Sequence, residues 1–437
     1  MSFQAVALQG QIDQASADIG RQKEVLKKLE RNKSLLQRQL NDLRDPIARL
    51  PLEISSEIFI QSRNLYGSES ADDIPMLLLQ VCNTWTGIAL STPSLWDKLS
   101  FFLPRPESFQ HLLTRWFERA GTHLLHVNTI GPIDPGVANV LWAHFNQLGH
   151  LELWPKSMWS ADSDDSDDES DNDNDIDFHQ LFGGTPLPAS LPFLHTFTVE
   201  GHKSLVFTSL EIRQLLSSSP SLTELRLSDV QLMDDVAHEA TEMRCLPNLR
   251  RIFLDKELLT FPQILRLFSA PRLAILGFSM PLNKEDNTNF ISFLQRSSPP
   301  LHTLVIGDSE KEFALFDDIT PSVSTTSRLE FNSIKPSFAE GLFQTLGQYP
   351  STFLPNLDTL KLHSFYPFPP SLCRSLLRAA VARRTQLRSI RLTFSKPEYV
   401  RVGPPDLLEA FRTLAAESGM DIFFGMSGDG QKNLLSA

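Results

Sequence analysis

The chain has 437 residues, 41% hydrophobic and 21% charged, too long for one compact core and too ordinary in composition for a disordered or membrane-spanning class. Its formal charge of −12 comes mostly from residues 160–177, SADSDDSDDESDNDNDID, whose nine Asp and one Glu, once set aside, leave 42 acidic against 40 basic residues. A nearly neutral remainder offers no concentrated basic face for nucleic acid, and no apolar run approaches the roughly 20 residues that cross a bilayer.

The N-terminus lacks the basic-then-apolar layout of a signal peptide, so the expected location is cytoplasmic, nuclear or both. The cysteines Cys82, Cys245 and Cys373 are odd in number and lack CxxC spacing, which speaks against a disulfide framework or a zinc site. Each reads as a small buried hydrophobe.

In chain order, residues 12–43 carry a heptad: Ile12, Ile19, Leu26 and Leu40 at one seam position, Ala15, Leu29, Leu36 and Leu43 at the other. Lys33 and Gln22 interrupt it. The pattern predicts an amphipathic, coiled-coil-like helix over residues 1–45, and leaves open self-association through residues 12–43, folding back on the protein, or a solvated helix. Asp45-Pro46 ends this element, because the proline ring clashes with a continuing turn.

A second element starts at Leu50-Pro51, with Ile54, Ile58 and Phe59 as its expected apolar stripe. Residues 61–75 are polar and predict a loop. A further helix is expected over about residues 76–89, with Leu78, Val81, Trp85 and Ile88 on one face, and Thr92-Pro93 opens a short turn ending at Leu95-Trp96. Three short helices of this size bury little area alone and call for a partner surface.

Leu50-Pro51, Glu53-Ile54, Ile58-Phe59, then Val81-Cys82 with Trp85 three residues later, and finally Pro93, Leu95 and Trp96, resemble the F-box. The long stretch between the first two helices departs from that family's register. The resemblance implies an F-box domain over residues 46–97 that docks on a Skp-family adaptor of a cullin-RING ubiquitin ligase. It would place adaptor contact on Leu50, Pro51, Ile54, Ile58, Val81, Cys82 and Trp85. Core packing within the three helices is the alternative for each, strongest for Trp85 and Ile88.

After Trp96 an LxxLxL template recurs, with starts at Trp96, Thr122, Leu148, Leu194, Leu222, Leu249, Leu273, Leu301, Thr326, Leu357, Leu387 and Gly419. All intervals but one lie between 24 and 32 residues. Turn signals such as SSSPS, CLPN and FLPN precede several copies, and helix-patterned pieces such as LEIRQLLSS, FPQILRLFSA and DLLEAFRTLAAE lie between them. A strand plus a helix per period resembles leucine-rich repeats of the longer type, and predicts a βα solenoid with parallel strands over residues 98–437. A doubly wound sheet is the alternative, disfavoured by the regular period and the absence of a Gly-rich phosphate loop.

The exceptional interval of 46 residues holds the acidic run, which therefore reads as a disordered insertion at 160–177 in a connecting loop. It is either a solvated loop without specific role or a substrate of an acid-directed kinase at Ser166 or Ser170.

No GxSxG, GxxxxGK[ST], GxGxxG after a strand or HExxH is present, and the eleven histidines are scattered, so no catalytic, metal or cofactor role is expected. The repeat instead offers a wall. The residue between the last two apolar positions of each copy points away from the core, on the face expected to be concave. That puts His126, Glu152, Thr198, Arg226, Phe253, Gly277, Val305, Glu330, Lys361 and Arg391 in one row. Arg226, Phe253, Glu330, Lys361 and Arg391 are the candidates for binding a protein target.

Taken together, the chain resembles the F-box proteins with leucine-rich-like repeats found in fungal genomes. Its expected role is that of a substrate-recognition subunit of an SCF-type ligase, not itself an enzyme, with an adaptor and a protein substrate as partners and neither nucleic acid nor membrane. A non-ligase scaffold using the repeats and the coiled coil is the alternative.

Overall fold

The computed structural model describes residues 3–65, 74–154, 182, 184–200, 206–228, 230–232, 243–255, 264–279, 284–308, 313–395 and 405–426. Ser166, Ser170 and the acidic run lie outside the described residues. The protein is mixed α/β, with a long N-terminal helix, twelve α-helices among the described residues and a large parallel sheet. It divides into two units, one comprising Met1–Ser100 and Leu112–Leu125, the other Phe101–His111 and His126–Ala437.

The first unit is helical. Helix Phe3–Arg44 stops where Pro46 requires it to, and a 3-10 turn, Ile47–Arg49, follows. Leu50, preceding Pro51, is extended at φ −88 and ψ 151, as a residue before proline must be. Helix Leu52–Leu65 then begins, its first turn closed by Ile54 N–H and Ser55 N–H donating to the Pro51 carbonyl. This helix runs five residues into the segment expected to be a loop. The cause is tertiary: Arg63, 6% exposed, donates to the carbonyls of Ser94 and Leu95 and to the Asp97 carboxylate at 2.8 Å. Long-range anchoring of one side chain overrides the polar composition around it.

The helix expected over residues 76–89 is in fact two, Ile74–Val81 and Asn83–Leu90. Cys82 between them is extended and accepts from Trp85 N–H through its sulfur at 3.5 Å. The break creates one helix C-terminus and one N-terminus, each with backbone groups lacking intrahelical partners. Side chains of the long helix satisfy them. Arg38 donates to the Leu79 and Gln80 carbonyls and Asn41 to the Val81 carbonyl. Asp42 accepts from Asn83 Nδ2, Thr84 N–H and Thr84 Oγ1.

The second unit is built on the sheet. Among the described residues, the ten strands of the large sheet that lie wholly within this unit, Leu148–Trp154, Thr196–Glu200, Glu224–Ser228, Arg251–Asp255, Ile275–Phe278, Thr303–Asp308, Arg328–Ser333, Thr359–Ser364, Ser389–Phe394 and Asp421–Met426, follow one another in chain order. Nine successive pairs, from Leu148–Trp154 onward, are parallel. Each strand coincides with one copy of the LxxLxL template. The apolar positions of the copies are buried, and Leu225 and Leu227, Ile252 and Leu254, and Leu360 and Leu362 are at most 2% exposed.

Helices such as Ser209–Ser218, Lys284–Ser297, Pro336–Gln348, Pro370–Ala382 and Pro405–Ser418 connect the strands and bury one face each. Thr208 opens the first of these with a capping box to Glu211. In the shortest period FPQILRLFSA, expected to be helical, is helical at residues 264–265 and then ends in the two-residue strand Phe268–Ser269, parallel to Arg244–Cys245. The turn signals before the strands prove structural. Asn248 Nδ2 donates to the Pro220 carbonyl and Asn356 Nδ2 to the Ser324 carbonyl, each at 3.0 Å and each reaching back one repeat. Of the three cysteines, Cys82 and Cys373 are buried as expected, whereas Cys245 is exposed because it lies at the strand before the 24-residue repeat rather than in a core position.

Candidate functional site

Two surfaces deserve the name of candidate site, one on each unit. On the helical unit, helix Leu52–Leu65 divides its apolar residues between two faces. Ser55, Phe59 and Arg63 point inward, spaced four residues apart on one stripe. Phe59 is 2% exposed and packs its ring 5.0 Å from that of Trp85. Leu50, Ile54 and Ile58 point outward and remain 41%, 51% and 41% exposed, with Leu52 and Pro51 also exposed beside them. The expected single stripe of Ile54, Ile58 and Phe59 is therefore split, because one helical step of about 100° carries Phe59 round to the core side.

The second half of the motif behaves differently. Val81 is half-buried and its carbonyl is taken by Asn41. Cys82 is fully buried as the N-cap of helix Asn83–Leu90, so its side chain offers no surface to a partner. Burial pushes the Cys82 thiol up, while the thiol's hydrogen bond to Asp42 holds that carboxyl below its ordinary range. Trp85 is half-buried and donates its indole N–H to the Asp45 carboxylate at 2.7 Å. Of the seven residues expected to contact an adaptor, Leu50, Pro51, Ile54 and Ile58 thus share an exposed apolar surface, and Val81, Cys82 and Trp85 hold the unit together. The heptad of the long helix gave no signal that its final turns, Arg38 to Asp45, serve as a clamp on the motif; the Asp42 and Asp45 spacing ahead of a broken helix is the only trace of it in the sequence.

On the sheet, the outward row expected from the template is a real line of neighbours. Glu152, Thr198, Arg226, Phe253, Gly277, Val305, Glu330, Lys361 and Arg391 are register partners in succession, and Phe423 extends the row. A second row, two residues earlier on each strand, runs His150, Thr196, Glu224, Arg251, Ile275, Thr303, Arg328, Thr359, Ser389 and Asp421. Sequence reasoning did not use this row, although it is legible as the third position of every template copy.

The two rows interact. Glu224, 5% exposed, accepts from Arg226 at 2.5 Å and from Arg251 at 2.6 Å. Glu330 accepts from Arg328 and, at 3.2 Å, from Lys361. Each of these carboxylates holds two cations; in the first cluster Arg226 also acts on Glu152, so the charges balance, whereas Arg328 and Lys361 on Glu330 leave an excess positive charge. Arg226 also lies over the Phe253 ring at 4.1 Å, and Arg391 over the Phe423 ring at 4.8 Å. Gly277 is buried because the Phe253 ring rests on it, where any Cβ would collide. Between the two clusters Phe253, Ile275, Gly277 and Val305 make an apolar stretch.

Toward the other end of the sheet the character changes. Thr198 is buried rather than displayed. The rings of His126 and His150 stack at 3.8 Å, and burial raises the Glu152 carboxyl above its ordinary range, with Arg226 opposing and Glu200 and Glu224 adding to the shift.

Among the described residues, no cluster of three or more His, Cys, Asp or Glu side chains could hold a metal ion, and no helix is long and apolar enough to cross a membrane. No family model matches the chain, and no curated protein matches its sequence.

Proposed function

We propose that the protein is the substrate-recruiting subunit of a cullin-RING ubiquitin ligase. The helical unit acts as an F-box that docks on a Skp-family adaptor through Leu50, Pro51, Ile54 and Ile58. The strands and helices that follow form a leucine-rich-repeat solenoid whose outward rows hold a protein target against Arg226, Phe253, Glu330, Lys361 and Arg391. One observation carries this reading: four apolar residues of the motif, Leu50 and Pro51 just before helix Leu52–Leu65 and Ile54 and Ile58 on it, stand exposed while Ser55, Phe59 and Arg63 on the helix's other face are buried. Such a patch on a small helical unit marks a protein contact.

The chain would perform no bond-making step. It would tether the target near a charged ubiquitin carrier and raise its effective concentration there. The excess positive charge of the Glu330 cluster, with apolar residues beside it, suits a target segment that is acidic and apolar. Co-purification tests the reading. The full chain should capture the adaptor, and Pro51→Ala with Ile54→Asp should abolish capture while leaving the sheet folded. Failure of the unaltered chain to bind any Skp-family adaptor would leave a non-ligase scaffold as the better account.

A further inference from the structure

The long N-terminal helix uses one face to hold the helical unit, and among the described residues nothing covers the opposite face. In the heptad that starts at Ile12, the clamping residues Arg38, Asn41, Asp42 and Asp45 fall at outer positions f, b, c and f. They are the half-buried residues of that stretch. The seam points the other way: Ile12, Ile19, Leu26, Leu29, Leu36 and Leu43 are between 54% and 81% exposed. The helix has 42 residues and is about 63 Å long, and helices owe most of their stability to packing of an apolar face, which this seam does not receive from the described residues of its own chain. Along it Leu29, Asn32, Lys33, Leu36, Gln37 and Leu40 line a shallow groove, the form of a hole that accepts a knob from a facing helix.

We infer that the seam is closed by the same segment of a second copy of this chain, running antiparallel, so that the protein is a homodimer. The placement of the two polar seam residues selects both the occupant and the direction. With Ile12 set against Leu43 of the second copy, Ala15 meets Leu40, Ile19 meets Leu36, Leu26 meets Leu29, and Gln22 meets Lys33. Every apolar residue then faces an apolar one, and the two polar residues face each other twice, once in each half. A parallel pair would instead set Lys33 against Lys33, two ammonium groups in one layer. The flanks agree. At the e positions, which face each other in an antiparallel pair, Lys23 of one copy lies beside Glu30 of the other, again twice. In a parallel pair Glu30 would face Val25, and Lys23 alone would find a carboxylate, that of Asp18. This inference does not depend on the adaptor reading, since the clamp and the seam use opposite faces.

Sedimentation equilibrium of the full chain at micromolar concentration tests it. The expected mass is twice 49.3 kDa, falling to a monomer in Leu26→Glu with Leu29→Glu while the main thermal transition stays in place. A monomeric unaltered chain would overturn the proposal, including the case where the seam captures a helix of some other protein. Orientation is read by mixing a chain carrying Gln22→Cys with one carrying Lys33→Cys, both in a Cys245→Ser background because Cys245 is exposed. The mixture should form a disulfide-linked pair, and neither variant should link to itself. Self-linking of Lys33→Cys alone would overturn the antiparallel arrangement. Glu30→Lys should weaken the dimer by about threefold to tenfold, and adding Lys23→Glu should restore it, a rescue that a parallel pair would not show.

Discussion

Ile54 and Phe59 lie five residues apart on one helix, and opposite consequences are expected when each is cut back to alanine. Full burial of an isoleucine side chain is worth about 1.5–3 kcal/mol, and Ile54 and Ile58, being 51% and 41% exposed, have about half of that still to gain at an interface. Removing both should cost about 2–3 kcal/mol of adaptor binding once the lost contacts on the partner side are included, about a 30- to 140-fold rise in Kd. Phe59, by contrast, fills a core position against Trp85 and is 2% exposed, so Phe59→Ala should cost about 3–5 kcal/mol of folding stability. Titration calorimetry with purified adaptor and thermal melting of the same proteins separate the two effects. The double Ile54→Ala, Ile58→Ala protein should melt close to the unaltered one and bind weakly; a melt as depressed as that of Phe59→Ala, with unchanged Kd, would show that the outward residues are core and refute the reasoning.

Two further outcomes concern the sheet unit. Arg383 has no exposed surface and donates to the carbonyls of Leu346 and Leu354 at 2.9 Å, of Tyr349 at 3.2 Å and of Phe353, while burial pulls its pKa down to about 10. Arg383→Met should therefore destabilise the unit by about 3–5 kcal/mol in urea unfolding, and Arg383→Lys should recover little, since three donors on one point charge cannot serve four carbonyls. Glu152 is an acid whose folded pKa is raised by burial, so its ionised form opposes folding at pH values above that pKa, and the penalty disappears as pH falls toward the ordinary glutamate range. Glu152→Gln should raise the melting temperature at pH 7, with the gain lost below about pH 4.5 in a pH series of melting curves.

The parallel sheet was legible because its signal repeats. A single LHTLVI is ambiguous, but twelve copies at a steady period assign Leu304, Ile306 and their counterparts to the core, and the alternation of strand side chains then forces Arg226, Phe253 and Gly277 into one outward line. What the pattern could not carry is contact between side chains of neighbouring repeats. That Glu224 holds Arg226 and Arg251, or that the Phe253 ring occupies the space above Gly277, depends on rotamers across the register.

The helical unit was legible in its landmarks and not in its partition. Pro46 and Pro51 fixed the ends of two elements through their missing donors and locked φ. The break at Cys82 left no such mark, because it is stabilised by Arg38, Asn41 and Asp42 from about 40 residues away. For the same reason Val81, Cys82 and Trp85, which resemble adaptor-contacting positions when read along the chain, are spent on internal contacts once Asp45 and Phe59 are in place. Local pattern identifies which residues are apolar; only the packing says which of them the protein keeps for itself.

Hydrogen exchange of the full chain, with and without a purified Skp-family adaptor, reads the central proposal most directly. Docking through the outward face of helix Leu52–Leu65 predicts slowed exchange confined to peptides covering about residues 50–60 and their immediate neighbours, lost in the Pro51→Ala, Ile54→Asp protein. Binding that protects the sheet strands and leaves residues 50–60 unchanged, or no binding at all, would contradict the account.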